Sequence, residues 1–216
     1  MSNVLNISQS ITGQAWQWRS GAVDARDPGF QPDDLVTQLL MARGVPRDDL
    51  ERHRDPTIRG FMPDPSIFQD MDRAAERLAD AVQLQESITV YGDYDVDGAT
   101  SAALLIRLFR SLGLTANHYI PDRLMEGYGP SGEALVRIGT SGSKLIVTVD
   151  CGAMAYDALA QAKAAGIEVI VVDHHEILDK LPDAKIIVDP KQKGDQYPFK
   201  ELAATGIAFK LSEVLL

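Results

Sequence analysis

The amino-acid sequence predicts an α/β fold, a doubly wound and mainly parallel five-stranded sheet with an N-terminal helical segment. Short apolar runs begin at Ile88 and recur along the chain, at residues 88–91, 115–120, 144–149, 167–172 and 185–188. Helical patterns separate most of these runs, and such alternation favours a parallel sheet. The run LIVTV at residues 145–149 is apolar on both faces, as expected for a strand covered by helices on each side.

The residues before the first strand predict small helical elements. Residues 1–30 have weak periodicity, and we expect a short strand or an arm there. The apolar pattern at residues 35–40 predicts a short helix that stops at Gly44. Prolines, glycines and charges over residues 46–68 predict short helical turns and loops.

Further helices are predicted around the strands. Asp70 is the expected N-cap of a helix that runs to about Gln85, and later patterns lie near residues 99–112, 131–138 and 154–165. The final stretch LAATGIAFKLSEVLL predicts a helix without a cap or breaker, so we expect a chain cut from a longer protein. We therefore predict an arm and helical segment over residues 1–68, and a C-terminally truncated α/β domain over residues 69–216.

Composition limits the classes of protein. The chain of 216 residues carries a formal net charge of −10, which is the wrong sign for a simple basic nucleic-acid patch. Cys151 is its only cysteine, so an intrachain disulfide is impossible and a reducing compartment is expected. The N-terminus has no secretory pattern, and no apolar run approaches a membrane span. We expect a cytoplasmic protein without a membrane segment.

The stretch VYGDYDVDGATS resembles the beginning of a calcium-binding EF-hand loop. Asp93, Asp95, Asp97 and the glycine after them have the required spacing. The twelfth residue of such a loop must be a bidentate glutamate, and here it is Leu104. The flanking patterns predict a strand before the aspartates and a helix after them, so we reject the EF-hand interpretation.

Acidic residues and histidines follow four of the five predicted strands. These residues are the three aspartates above, Asp150, the run Asp173-His174-His175-Glu176, and Asp189. An acidic residue after a strand is commonly a turn former or helix cap. Four such strand ends at one edge of a sheet favour a metal site instead. Carboxylate and imidazole ligands suit Mn²⁺, Mg²⁺ or Fe²⁺, and paired cations are the usual apparatus of phosphoryl hydrolysis.

Three motifs together resemble a known superfamily. VYGDYDVDGATSAALL, LIVTVDCG and VIVVDHHE are similar to the first three motifs of the DHH phosphoesterase superfamily. YIPDRLMEGYG, LPDAKIIVDPK and YPFKELAATGIAFKL resemble the RecJ single-strand-specific exonucleases within it. The family pattern usually has Asn at the positions of Asp122 and Asp189, and GVG where this chain has Ala204-Thr205-Gly206. A fourth motif, a second domain and an OB-fold of the family have no counterpart in these 216 residues.

The resemblance implies roles for individual residues. The metal-site residues would be Asp93, Asp95, Asp97, Asp150 and His174, with Asp150 as the bridge between two ions. His175 would face the scissile phosphate as an electrostatic stabiliser or proton donor, and Asp173 would orient the histidines. Arg123 would bind a phosphate of the nucleic acid, and Tyr128 would stack on a base.

The resemblance also implies a function. The chain would belong to a two-metal-dependent exonuclease that degrades single-stranded DNA 5′→3′ in DNA repair and recombination. Mn²⁺ or Mg²⁺ would be the cofactor, and repair or replication proteins are expected partners. Two alternatives stay open. One is another DHH enzyme, either a phosphodiesterase acting on short oligonucleotides or cyclic dinucleotides or a pyrophosphatase, and the other is a non-catalytic replication scaffold. We expect low activity from this chain by itself.

Overall fold

The structure, a computed structural model, describes residues 8–16 and 34–216. The chain divides into two compact units, Met1–Met62 and Pro63–Leu216. The first unit contains helices α1 (Asp34–Ala42), α2 (Leu50–Arg54) and α3 (Ile58–Phe61), with a 3-10 turn at Arg47–Asp49. Most of the predicted arm over residues 1–30 lies outside the described residues, and the predicted domain division at residue 68 stays a prediction.

The second unit is built on a five-stranded sheet. Its strands are β1 (Ile88–Gly92), β2 (Asn117–Tyr119), β3 (Leu145–Val149), β4 (Glu168–Val172) and β5 (Ile186–Val188). They are arranged in the order β2-β1-β3-β4-β5, and each neighbouring pair is parallel. The predicted fold class is therefore confirmed, and the sheet is wholly parallel.

Helices cover both faces of this sheet. They are α4 (Met71–Gln83), α5 (Val96–Ser111), α7 (Gly132–Thr140), α8 (Tyr156–Ala164) and α9 (Ala204–Leu215), while the short helix α6 (Arg123–Glu126) has no buried residue. Side chains alternate along a strand, so Val90 packs with the buried residues of α4, α5 and α9 while its neighbour Tyr91 packs with those of α7 and α8. The doubly wound arrangement thus follows from strands whose side chains are buried on both sides.

The chain reverses direction across the sheet between β1 and β3. From β1 it passes through α5 to β2 at one edge, and it then returns through α7 to β3 on the other side of β1. In open sheets of this kind, ligands bind in the crevice outside the carboxyl ends of the strands at this switch point. A ligand site is therefore expected among the residues that follow β1 and β3.

The start of α4 differs from the prediction. Asp70 does precede the helix, but its backbone is left-handed with φ of 63°, and its side chain makes no capping hydrogen bond. Capping side chains usually require an extended backbone. Asp70 Oδ1 instead lies 2.6 Å from Arg73 Nη1 in an ion pair.

Two observations complete the description of the fold. Cys151, which lies two residues after the end of β3, is buried and unpaired. Within residues 8–16 and 34–216, we find no helix that has both the length and the apolar character required to cross a membrane.

The core under α4 gives a direct test of the packing. Leu78 is completely buried, whereas Leu84 at the end of the same helix is 71% exposed. We expect Leu78→Ala to lower the free energy of unfolding by about 2–5 kcal/mol, because it leaves a cavity. Leu84→Ala should change it by less than about 0.5 kcal/mol. Urea denaturation of both variants measures the difference, and equal losses would contradict the burial described above.

Candidate metal centre

The carboxyl ends of β1, β3 and β4 deliver acidic residues to one edge of the sheet. The backbone amide of Asp93 donates to Val149 at 3.2 Å, and that of Asp150 donates to Val172 at 3.0 Å. The amide of Asp173 donates to Val188 at 3.0 Å in the same way. Each aspartate is therefore held by the neighbouring strand, since these bonds extend the parallel ladder by one residue.

Two groups of side chains at this edge are close enough to hold a cation. Ligand atoms of Asp93, Asp95 and Asp150 lie within 4.8 Å of one another. Those of Asp150, His174 and His175 form a second group within the same distance. Asp150 is the member common to both groups.

His174 lies between two of the predicted ligands. Its Nε2 is 3.3 Å from Asp150 Oδ1 and 3.7 Å from Asp97 Oδ2. The structure therefore brings together the residues predicted for the metal site, Asp93, Asp95, Asp97, Asp150 and His174.

Among the residues that the structure describes, two buried carboxylate oxygens at the site accept no hydrogen bond. They are Oδ1 of Asp93 and Oδ1 of Asp150, on residues that are 3% and 2% exposed. Burial raises the pKa of Asp93. Burial, together with the nearby Asp97 and Asp95, raises the pKa of Asp150 to about 8. Buried acceptors without donors are costly, and a divalent cation would satisfy both. The residues present thus fit a metal ion.

The backbone of Asp150 is also unusual. Its φ is 60°, in the left-handed region that residues other than glycine seldom adopt. Strained backbone of this kind tends to occur at functional sites. The conformation turns the chain sharply at the end of β3.

Asp95 and Gly98 shape the turn from β1 into α5. Asp95 Oδ1 accepts hydrogen bonds from the amides of Asp97 at 2.8 Å and Gly98 at 3.1 Å, so Asp95 is the N-cap of α5. The bond from Gly98 is the main cause that lowers the pKa of Asp95. A Cβ atom on Gly98 would lie 2.5 Å from the backbone N and O of Asp93, so the turn excludes a side chain there.

Asp97 is bound by the N-terminus of α9. Its Oδ2 accepts from the amide of Ala204 at 2.9 Å, and its Oδ1 accepts from the amide of Thr205 at 2.8 Å. The Thr205 hydroxyl is a further donor to Oδ1, at 2.6 Å. The sequence motifs gave no sign of this link, because the partners lie 107 and 108 residues later in the chain.

Asp173 fixes the orientation of one histidine ring. Its Oδ1 lies 2.7 Å from His175 Nδ1, and this hydrogen bond is the main cause that raises the pKa of His175 to about 9. Burial of Asp173 opposes ionisation, but the bonds from His175 and from the amides of Ala153 and His174 keep its pKa below the ordinary value. Asp173 contacts His174 only through the backbone.

Residues 122–128, which follow β2, form a wall beside the site. Tyr128, which is 62% exposed, places its hydroxyl 3.2 Å from His175 Nε2. The guanidinium of Arg123 lies 5.0 Å from the ring centre of Tyr94, and the rings of Tyr94 and Tyr128 meet edge to face. Sequence reasoning missed Tyr94, although its place between two of the aspartates was a usable signal.

This segment contains a short helix. Residues 123–126 form the short helix α6, whose N-cap Asp122 accepts from the amides of Leu124 and Met125. Glu126 accepts a 2.5 Å hydrogen bond from the hydroxyl of Tyr119 and another from the amide of Asp122. Glu126 therefore anchors the wall.

A pocket of about 440 Å³ opens beside His175. Tyr128, Pro130, Met154 and Ala155 supply its apolar lining, and Asp173 borders it together with His175. The pocket is thus continuous with the groups that surround the candidate metal site.

Asp189 follows β5 and is not one of the predicted metal ligands. It is fully buried, and its Oδ1 accepts from the amide of Lys191 at 2.8 Å. Its Oδ2 has no donor, and burial raises its pKa to about 7. It belongs to neither group of potential ligands among the described residues.

Comparison with known proteins identifies similar sequences. The DHH family, N-terminal domain, matches residues 87–215. The single-stranded-DNA-specific exonuclease RecJ of Bacillus subtilis (strain 168) is 44% identical over 182 residues, which are 84% of this chain and 23% of that protein. RecJ of Escherichia coli (strain K12) is 38% identical over 179 residues, 82% of this chain and 30% of the relative.

Solved structures of RecJ share the fold. A structure of exonuclease RecJ bound to manganese has a TM-score of 0.62 and 36% identity, covering 68% of this chain and 37% of that one. RecJ from Thermus thermophilus in complex with Mn²⁺ has a TM-score of 0.65 and 31% identity, covering 82% and 24%. The chain therefore spans less than half the length of these relatives.

The raised pKa values predict how stability depends on pH when a chelator removes divalent metal. The fold favours the protonated forms of Asp150 and Asp189. Their contribution to the free energy of unfolding is greatest below pH 3.8. It is lost as the pH rises through the folded-state pKa values, about 8 for Asp150 and about 7 for Asp189. The contribution of His175 is lost between pH 6.5 and about 9. We expect the chain to lose stability from pH 5 to pH 8.

The variant Asp150→Asn isolates one of these contributions. From pH 5 to pH 8, its free energy of unfolding should fall by at least about 1 kcal/mol less than that of the unchanged chain, because position 150 then has no carboxyl group to ionise. Urea denaturation at both pH values in the presence of a chelator measures this, with Asp157→Asn as the control at an exposed aspartate of α8. An identical pH dependence in Asp150→Asn would contradict the raised pKa.

Proposed function

The chain belongs to the DHH family, and on that premise we propose that it hydrolyses phosphodiester bonds in single-stranded DNA with divalent cations, as part of a 5′→3′ exonuclease. The position of Asp150 carries this proposal, since it is shared by two groups of side chains that could each hold an ion. A carboxylate between two cations about 3.5–4 Å apart is the usual arrangement for phosphoryl hydrolysis. The similarity to RecJ exonucleases supports the choice of substrate.

Mn²⁺ or Mg²⁺ is the proposed cofactor. Asp93 and Asp95 would hold one ion, His174 and Asp97 would hold the other, and Asp150 would contact both. Bound divalent cations would lower the pKa of a water molecule and offset negative charge on the attacked phosphate. The buried oxygens of Asp93 and Asp150 that lack donors support this assignment.

His175 is proposed as the group that faces the scissile phosphate. Asp173 accepts from Nδ1, so the ring is fixed, and Nε2, which lies 3.2 Å from the Tyr128 hydroxyl, is the nitrogen that would donate to the phosphate. In the metal-free chain the hydrogen bond to Asp173 raises the pKa of His175 to about 9, so the ring carries a proton at neutral pH. It would stabilise charge on the phosphate or give its proton to the leaving oxygen.

The wall around Tyr128 is proposed to bind the nucleic acid. Arg123 would contact a phosphate, because its guanidinium is positively charged beside the site. Tyr128 is exposed and would stack on a base, and the pocket beside it is lined by apolar atoms suited to a base or sugar. These contacts would hold a single strand although the net charge of the chain is −10.

The finer parts of this proposal concern activity and cellular context. We propose that residues 1–216 by themselves have low activity. An incomplete set of metal ligands would leave the reacting groups misplaced, and a misplacement of about 1 Å can cost about a hundredfold in rate. The chain covers only 23% and 30% of the lengths of the two RecJ relatives, which supports this expectation. A role in DNA repair and recombination, protein partners in repair or replication, and a location in the cytoplasm stay predictions.

Metal titration tests the role of Asp150. We expect Asp150→Ala to weaken Mn²⁺ binding by at least about tenfold, because the residue would contact both ions. Asp189→Ala is the matched control, a buried aspartate after a strand that belongs to neither cation-binding group. Isothermal titration calorimetry measures both affinities. Equal losses in the two variants would show that Asp150 is not the bridge.

A nuclease assay tests the reaction and its substrate. Residues 1–216 should degrade 5′-labelled single-stranded DNA in Mn²⁺ much more slowly than full-length RecJ of Bacillus subtilis. The residual rate should fall at least about a hundredfold in His175→Ala, because the proton donor is lost.

Duplex DNA and a cyclic dinucleotide are the control substrates. A rate equal to that of the full-length relative would contradict the low activity proposed for this chain. Preferential cleavage of the cyclic dinucleotide would favour the alternative phosphodiesterase. Absence of cleavage of any substrate by a chain that binds Mn²⁺ would favour the non-catalytic scaffold.

A further inference from the structure

Thr205 touches the candidate metal site from an element outside the three aspartate and histidine motifs. It lies in the first turn of α9, and its hydroxyl oxygen is 2.6 Å from Asp97 Oδ1. The site therefore receives a hydroxyl group from a helix that follows β5, outside those motifs.

The single hydroxyl proton of Thr205 has one favoured acceptor. Asp97 Oδ1 is at 2.6 Å and the carbonyl oxygen of Asp97 is at 3.2 Å, and a carboxylate is the stronger acceptor. Thr100 Oγ1 lies 2.9 Å from Thr205 Oγ1, but its proton goes to Val96 O at 2.5 Å. Buried Ser101, at 3.1 Å, is left to donate to Thr205. The hydroxyls thus form a directed chain that ends on Asp97.

These donors leave Asp97 with one oxygen for a cation. Its Oδ1 accepts from both the amide and the hydroxyl of Thr205, so both of its lone pairs are occupied. Within the described part of the chain, its Oδ2 accepts only from the amide of Ala204, and it lies 3.7 Å from His174 Nε2. The remaining lone pair of Oδ2 is therefore the one available on the side of His174.

We propose that Thr205 is a positioning residue of the metal site, whose hydroxyl holds the Asp97 carboxylate so that Oδ2 alone binds the cation. The inference rests on the proposed function in one respect, that Asp97 helps to bind a divalent ion. Hydrogen-bonded partners of ligating carboxylates commonly set their orientation and thereby the affinity for the metal. The hydroxyl would do this here in addition to the two backbone amides.

Substitutions of Thr205 test the proposal in the full chain of 216 residues. Thr205→Val keeps the shape and removes the donor, and we expect it to weaken Mn²⁺ binding about tenfold, whereas Thr205→Ser should stay within about twofold. Thr140→Val is the matched control, because the hydroxyl of Thr140 contacts only carbonyl oxygens of its own helix. Isothermal titration calorimetry with Mn²⁺ gives the affinities, and thermal unfolding confirms that each variant is folded.

A double-mutant cycle separates positioning from support of α9. In an Asp97→Asn background, Thr205→Val should cause no further loss of Mn²⁺ affinity, because the carboxylate it positions is gone. The same loss in both backgrounds would overturn the proposal and leave Thr205 a structural residue.

The outcomes also distinguish this inference from the proposed function. If the unchanged chain binds Mn²⁺ and Thr205→Val binds it equally well, the inference alone fails. If the unchanged chain does not bind Mn²⁺, the proposed function fails and the positioning role falls with it.

Discussion

Electrostatic repulsion among carboxylates at the carboxyl edge of the sheet is the constraint on which the site depends. Parallel strands end at the same edge, so Asp93, Asp150 and Asp173 are held close together by the backbone ladder. Burial raises the free energy of each charge, and like charges raise it further. Each of these charges must therefore be stabilised by a hydrogen-bond donor, neutralised by a proton or offset by a cation.

The structure stabilises the individual carboxylates in different ways. Asp95 receives the amides at the start of α5, and Asp97 receives those at the start of α9. Asp173 is satisfied by backbone amides and by the ring of His175. Asp93 and Asp150 each retain a buried oxygen without a donor. At the site, the open acceptors therefore lie at the ends of the adjacent strands β1 and β3, where a cation would contact both.

The same interactions join distant parts of the chain to the site. Helix α9 is capped by Asp97 in place of a side chain of its own, since its N-cap Ala203 has no acceptor to offer. The wall after β2 meets the site where the Tyr128 hydroxyl approaches His175, and Glu126 anchors its short helix to Tyr119. Stability of these elements and geometry of the site are consequently linked.

The sequence by itself determined the sheet, its helices and the convergence of the aspartates and histidines on one edge. Apolar runs mark buried strands locally, and parallel strands have only one edge at which their carboxyl ends can meet. Tertiary structure decided which carboxylates receive donors. The partners of Asp97 lie 107 and 108 residues away, and the Arg123–Tyr94 contact joins helix α6 to the turn between β1 and α5. Hydrogen bonds between distant elements depend on how the helices pack, and side-chain spacing along the chain carries no record of that packing.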